Sequence, residues 1–205
     1  MDSPKKILII RIKSIGDVLF TLPATNAVRE NYPDAHITYL TGSENATLMQ
    51  AFPAVDKVIT MDRSKLKKPR TALAELFRVL SLMHRGNYSL VIDLQGYGET
   101  ACLAWITRAK ERWGSVYSKG RKWAYTQGVT RRDDIHPADW CLLLLKECGL
   151  KTEEPNNRFH LPEAAQKSAR TIYADNGLDP EKPTLFIQPY TSRAFKDWPL
   201  ENYLA

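Results

Sequence analysis

Apolar positions along this chain come in two rhythms that alternate from one end to the other. The run Lys6-Ile7-Leu8-Ile9-Ile10 is continuously apolar after its first residue, the pattern of a strand covered on both faces, as in a parallel sheet. A turn, Lys13-Ser14-Ile15-Gly16, follows, and its glycine reads as leaving no room for side-chain bulk. Val18, Leu19, Leu22, Ala27 and Val28 then fall roughly on one helical face. His36–Thr41 and Lys57–Met61 read as the second and third strands, with a short helix over 44–51 between them. The stretch 62–70 reads as a polar loop, and 71–85 as a helix with Leu73, Leu76, Phe77, Leu80 and Met83 on one side. Leu90–Leu94 is strand four, Gly96-Tyr97-Gly98 turns into a helix over 100–107, and Glu111–Gly114 is a short fifth strand. An irregular basic stretch, 115–134, leads to a helix opened by Pro137 and closed at Gly149.

This alternation predicts an α/β, doubly wound, Rossmann-like parallel sheet over residues 1–150. Residues 151–162, rich in Pro, Asn and charge, read as a linker. Beyond it, 163–205 reads as the start of a second, incomplete α/β domain. It holds a helix, a buried strand Thr184–Gln188, and a loop through Trp198-Pro199 that echoes the first strand-turn-helix unit.

Composition adds limits. At 43% hydrophobic and 25% charged residues, a chain of 205 residues carries a sizeable core and no disorder signature. No apolar run is long enough to span a bilayer, and the N-terminal run followed by Arg11 and Lys13 is unlike a signal peptide, so a cytoplasmic protein is expected. Cys102, Cys141 and Cys148 have no framework spacing and read as reduced packing residues. The net charge of +6 suits anionic ligands of several kinds, and suits a solvated basic surface equally.

Five stretches carry candidate chemistry. Ser14-x-x-Asp17 matches a capping box ahead of an apolar run, which by itself favours a structural cap; the functional reading is a general base at a strand-to-helix turn, where open parallel sheets bind ligands. Gly96-x-Gly98-x-x-Ala101 fits the loose dinucleotide fingerprint, but the acidic residue expected about 20 residues on is missing, so a tight turn against the sheet is preferred. Arg63, Lys65, Lys67, Lys68 and Arg70 crowd one connection and suit either solvent or an acidic substrate, while Arg121–Tyr125 interleaves cations with aromatics and keeps nucleic-acid binding open. Thr191, Ser192 and Lys196, after an apolar run, suit a diphosphate without forming a P-loop. The histidines have no metal-ligand spacing.

Three blocks together carry a resemblance. Lys6 to Leu19 with Thr21-Leu22-Pro23-Ala24, then Val91-Ile92-Asp93-Leu94-Gln95-Gly96, then Gln188–Ser192 through Lys196-Asp197-Trp198-Pro199, resemble in order and spacing the ADP-heptose:lipopolysaccharide heptosyltransferases, glycosyltransferase family 9. The resemblance implies the N-terminal half of a GT-B fold, in which two Rossmann-like domains face a cleft. It implies inverting transfer of heptose from ADP-heptose to the Kdo-containing inner core of lipopolysaccharide, with no cofactor and no nucleic-acid partner, at the inner face of the inner membrane. Asp17 matches the family's general base; Thr191, Ser192 and Lys196 match its donor-phosphate contacts. Lys13, Ser14 and Gly16 belong to the acceptor-side turn, and Arg63 and Lys67 lie in the region where members meet acidic sugars. A full member has a complete second domain, so this chain is expected to act only as part of a longer one and to be inactive alone. The alternative is a non-catalytic basic module for anionic glycolipid or nucleic acid.

Overall fold

The computed structural model describes residues 4–191 and 194–203. Two compact units divide the chain, 1–161 and 162–205. The first is a six-stranded sheet, parallel throughout: β1 (Lys6–Ile10), β2 (His36–Gly42), β3 (Lys57–Met61), β4 (Leu90–Asp93), β5 (Glu111–Val116) and β6 (Gln127–Thr130). Their order is β3-β2-β1-β4-β5-β6, the doubly wound arrangement expected from the alternation of strands and helices. β1 lies at the centre, with Ile9 opposite Tyr39 of β2 on one side and Ile92 of β4 on the other. The order reverses between β1 and β4, so the loops leaving those two strands open side by side at one edge of the sheet.

Side chains of β1 alternate between two cores. Ile7 and Ile9 pack with Val18, Leu22, Val28, Trp140 and Leu144 from α1 (Ile15–Leu19), α2 (Leu22–Asn31) and, across 137–147, a later helix. Leu8 and Ile10 pack with Val79, Met83, Ala101 and Ala104 on the other face. Short helices α3 (Ala46–Met49) and α4 (Arg63–Leu66), then α5 (Pro69–Arg85), α6 (Gly98–Ile106), α7 (Pro137–Glu147) and α8 (Glu163–Asp175) complete the set.

Several local expectations are corrected. The helix after β1 is two helices, and Leu19 is exposed rather than buried with Val18. Residues 62–70 are not a plain loop: the Asp62 carboxylate accepts from the Ser64 and Lys65 N–H groups and caps α4, and α5 begins at Pro69. The stripe Leu73, Leu76 and Phe77 faces solvent, while Glu75, Val79 and Met83 face the sheet. A sixth strand, β6, lies inside the stretch read as irregular. Residues 151–161 belong to the first unit, where Asn26 Nδ2 donates to the Asn156 and Arg158 carbonyls and the His160 N–H donates to the Ala51 carbonyl.

In the second unit, α8 forms as expected, but Thr184–Gln188 makes no strand. A strand exists only with a ladder partner, and among the described residues of this unit there is none. Leu185 and Phe186 are each 84% exposed.

Candidate active site

The loops after β1 and β4 are tied to each other by side chains rather than by sheet bonds. Asp93, the last residue of β4, is buried, and its Oδ1 accepts the Gln95 and Gly96 N–H groups at 2.9 Å each. Its Oδ2 accepts the Tyr125 hydroxyl at 2.7 Å. Burial pushes the Asp93 carboxyl above its ordinary value against the pull of these donors, and burial beside Asp93 also pushes the Tyr125 phenol up. The turn so held needs glycine at 96: φ is +73°, and a Cβ would meet the Ser115 carbonyl oxygen. This is the tight turn preferred for Gly96 over a dinucleotide site.

Gln95 then reaches across to the β1 exit. Its Oε1 accepts the Ile12 N–H at 2.9 Å and the Lys13 N–H at 3.0 Å. Lys13 Nζ pairs with Glu99 Oε1 at 2.6 Å and sits over the Tyr97 ring. Arg11, only 11% exposed in its side chain, donates from Nη1 to the Leu94 carbonyl at 2.7 Å and from Nε to the Lys13 carbonyl at 3.2 Å. Its Nη2 lies 3.0 Å from Asp17 Oδ2.

The turn itself differs from a capping box. The Ser14 hydroxyl makes no bond to the helix backbone; it donates to Asp17 Oδ2 at 3.1 Å. Arg11 and Ser14 therefore hold the same carboxylate oxygen, and among the described residues Oδ1 has no partner. The expectation that bulk is excluded at Gly16 is also corrected: a Cβ there would meet nothing within 4 Å. Glycine leaves open space beside Asp17 rather than relieving a clash.

Asp17 opens into a cleft of about 150 Å³, lined also by Arg11, Phe20, Tyr97, Tyr117, Arg131, Pro137 and Cys141. Arg131 is 12% exposed in its side chain, bonded to Asp133 at 3.1 Å, with its guanidinium 5.0 Å from the Trp140 ring centre and 5.7 Å from that of Tyr117. Burial pushes the Cys141 thiol up to about 11, which leaves it protonated and a poor nucleophile at neutral pH. Sequence reasoning did not single out Arg11, Tyr97, Tyr117 or Arg131 as site residues. Only Arg11, a cation directly after a buried strand, carried a local signal.

Of the expected acceptor residues, Lys13, Ser14 and Gly16 share the loop with Asp17. Arg63 and Lys67 do not line the cleft: Arg63 lies 3.4 Å from Glu44 beyond β3, and Lys67 ends α4 in solvent. In the second unit the Thr191 N–H donates to Asp197 Oδ1 at 2.6 Å, and Lys196 lies over the Phe195 ring. Ser192 lies outside the described residues.

A family model described as glycosyltransferase family 9 (heptosyltransferase) matches residues 69–205, more than half of the chain. The chain belongs to this family. Its relatives agree with that assignment. The lipopolysaccharide core heptosyltransferase OpsX of Haemophilus influenzae is 22% identical over 98% of this chain and 56% of its own length. Lipopolysaccharide heptosyltransferase 3 of Escherichia coli K12 is 23% identical over 92% of this chain and 55% of its own. The crystal structure of the family 9 glycosyl transferase from Veillonella parvula superposes with a TM-score of 0.84 at 24% identity, over 97% of this chain and 57% of that one. The E. coli heptosyltransferase WaaC, solved with ADP-2-deoxy-2-fluoro heptose, gives 0.66 at 21% identity, over 97% and 63%. These structural likenesses speak for the fold. The family 9 chain described here spans about half the length of the curated relatives named above.

Proposed function

We propose that this chain supplies the acceptor side of an inverting heptosyltransferase that moves heptose from ADP-heptose to the Kdo-containing inner core of lipopolysaccharide. Asp17 is the general base. The observation that carries the reading is the free Oδ1 of Asp17 beside open space at Gly16, with Oδ2 held by Arg11 and Ser14. The acceptor hydroxyl oxygen attacks the anomeric carbon of the heptose as the bond to the diphosphate breaks. Its proton passes to Oδ1, and ADP leaves with the bonding pair. Arg11 and Ser14 fix the orientation of the carboxylate, and the proton moves late, when the hydroxyl has become acidic through bonding to an oxocarbenium-like carbon.

Residues 1–150 form the acceptor domain in this reading, 151–162 the connection, and 163–205 the start of the donor domain. Thr191, Ser192 and Lys196 meet the charge of the leaving diphosphate. Lys13, Ser14 and Gly16 shape the acceptor's approach, and Arg63 and Lys67 draw its acidic sugars inward from the rim. The protein works in the cytoplasm against the inner face of the inner membrane. The names of the relatives, which are lipopolysaccharide heptosyltransferases, support the substrate pair.

The test is heptose transfer from ADP-heptose to a Kdo-bearing acceptor, followed by mass spectrometry. Turnover is expected when the chain is joined to a complete family donor domain, and none from the 205 residues alone. Salt-sensitive binding of anionic glycolipid, with no transfer in the joined form, would instead favour the non-catalytic module. The cations Lys67, Lys68 and Arg70, which have no carboxylate within 4 Å among the described residues, are the feature that supports this second reading.

A further inference from the structure

The helical layer over β3, β1 and β4 is apolar on the side where a solvated layer should be polar. On α5, Leu73 and Phe77 are 76% and 74% exposed, and Leu76 is also exposed. Spaced at i, i+3 and i+4, they form a second stripe, turned away from Val79 and Met83 on the sheet side. The helix has 17 residues and so extends about 25 Å. At its far end His84 lines a cleft of about 400 Å³ together with Trp105 of α6. Trp105 in turn meets Trp123 edge to face, with ring centres 5.8 Å apart and both rings more than half exposed.

Charge selects what covers this face. The single acid on α5, Glu75, is buried and held by Arg78 at 2.7 Å, and the single acid on α6, Glu99, is paired with Lys13. At the near end of α5, Lys67, Lys68 and Arg70 have no carboxylate within 4 Å among the described residues. A second copy docking about a two-fold axis would set this cationic face against itself. Aliphatic residues, paired tryptophans and unpaired cations on one face match a lipid bilayer interface with anionic headgroups. Among the described residues no helix is long and apolar enough to cross a membrane.

We propose that the outer face of α5 and α6 docks this chain on an anionic bilayer surface. Leu73 and Phe77 enter the acyl boundary, Trp105 and Trp123 lie at headgroup depth, and Lys67, Lys68 and Arg70 pair with lipid phosphates. The start of α5 and the loop of Asp17 open at the same edge of the sheet, since α5 runs back from the end of β3 and Asp17 follows β1. The inference deepens the transferase reading, because a lipid-borne acceptor would arrive along this rim. Its failure is distinguishable from failure of that reading, since the test measures no sugar transfer.

The experiment is flotation of the 205-residue chain with vesicles of phosphatidylethanolamine and phosphatidylglycerol, and with vesicles of phosphatidylcholine alone. Binding to the anionic vesicles is expected, weakened by salt. Joint replacement Lys67→Gln, Lys68→Gln and Arg70→Gln should reduce affinity by roughly tenfold or more. Leu73→Ser with Phe77→Ser should reduce it comparably, with unchanged circular dichroism. Lys146→Gln with Lys151→Gln, on the opposite side of the sheet, should leave it unchanged. Equal binding to both kinds of vesicle, or binding indifferent to both sets of replacements, overturns the proposal. So does a dimer, seen by light scattering, that Phe77→Ser dissolves while anionic vesicles bind nothing.

Discussion

Two loops leave the same edge of the sheet, one after the buried central strand β1 and one after the half-buried edge strand β3; both carry cations, yet they are held differently. The loop after β1 is wired inward: Arg11 spends its donors on Leu94, Lys13 and Asp17, and Gln95 fixes two of its backbone N–H groups. The loop after β3 is fixed at its root, where Asp62 caps α4 and Glu75 accepts the Asp62 N–H at 2.8 Å, and along its first turn, where Arg63 lies 3.4 Å from Glu44 and the Thr71 hydroxyl donates to the Lys65 carbonyl at 2.8 Å. Its outer cations, Lys67, Lys68 and Arg70, are exposed. A carboxylate that must meet one hydroxyl needs a fixed position. Cations that gather a large anionic ligand need reach, and rigid pairing would cancel their charge.

The largest test of this contrast is Asp17→Asn, assayed in the form joined to a donor domain. Turnover should fall by about 10²–10⁴, the usual contribution of a general base, with circular dichroism unchanged. Near-normal turnover would leave the β1 loop with no catalytic purpose.

The next largest concerns the root of the inner wiring. Asp93→Ala leaves the Gln95 and Gly96 N–H groups and the Tyr125 hydroxyl without their acceptor, and should cost about 2–4 kcal/mol in urea unfolding. Asp93→Asn should cost much less, and its pH dependence is informative. The folded-state carboxyl of Asp93 is raised by burial, so the native chain holds more protons than the unfolded one above the unfolded value of about 3.9. Wild-type stability from this group therefore declines as pH rises through that window. The stability of Asp93→Asn relative to wild type should grow over the same range; a flat difference would mean that Asp93 is not strained by burial.

The root of the outer loop predicts the opposite sign. The hydrogen bonds from Arg78 hold the Glu75 carboxyl below its ordinary value, so its contribution is complete above about pH 4.3 and lost as pH falls through the folded value. Glu75→Gln should cost about 1–2 kcal/mol at neutral pH, and the gap to wild type should close in acid. Smallest in stability are Lys67→Gln and Lys68→Gln, which should lie within about 0.5 kcal/mol of wild type. In the joined enzyme they should raise the acceptor KM several-fold and leave kcat unchanged. A fall in kcat would place them at the reaction centre instead of the rim.

Much of this was legible residue by residue. The KILII run, the turn to Asp17 and the alternation of strands with helices settle a parallel, doubly wound sheet, because period and punctuation are local properties. The cleft was less legible. Tyr117 and Arg131 lie more than 90 residues beyond Asp17 and reach it only because β5 and β6 add to the β4 side of the sheet.

The sequence by itself determined where chain reversals fall, which runs are apolar, and the blocks that mark family 9. Tertiary structure decided which apolar residues are covered. Ile7 to Ile10 are fully buried because β2 and β4 flank them and helices cover both faces. Leu185 and Phe186, equally apolar, have no neighbouring strand among the described residues and are 84% exposed. On α5 the periodicity could not choose between two apolar faces, and the sheet took the one with Val79 and Met83. Burial is a property of neighbours, and neighbours are supplied by distant parts of the chain.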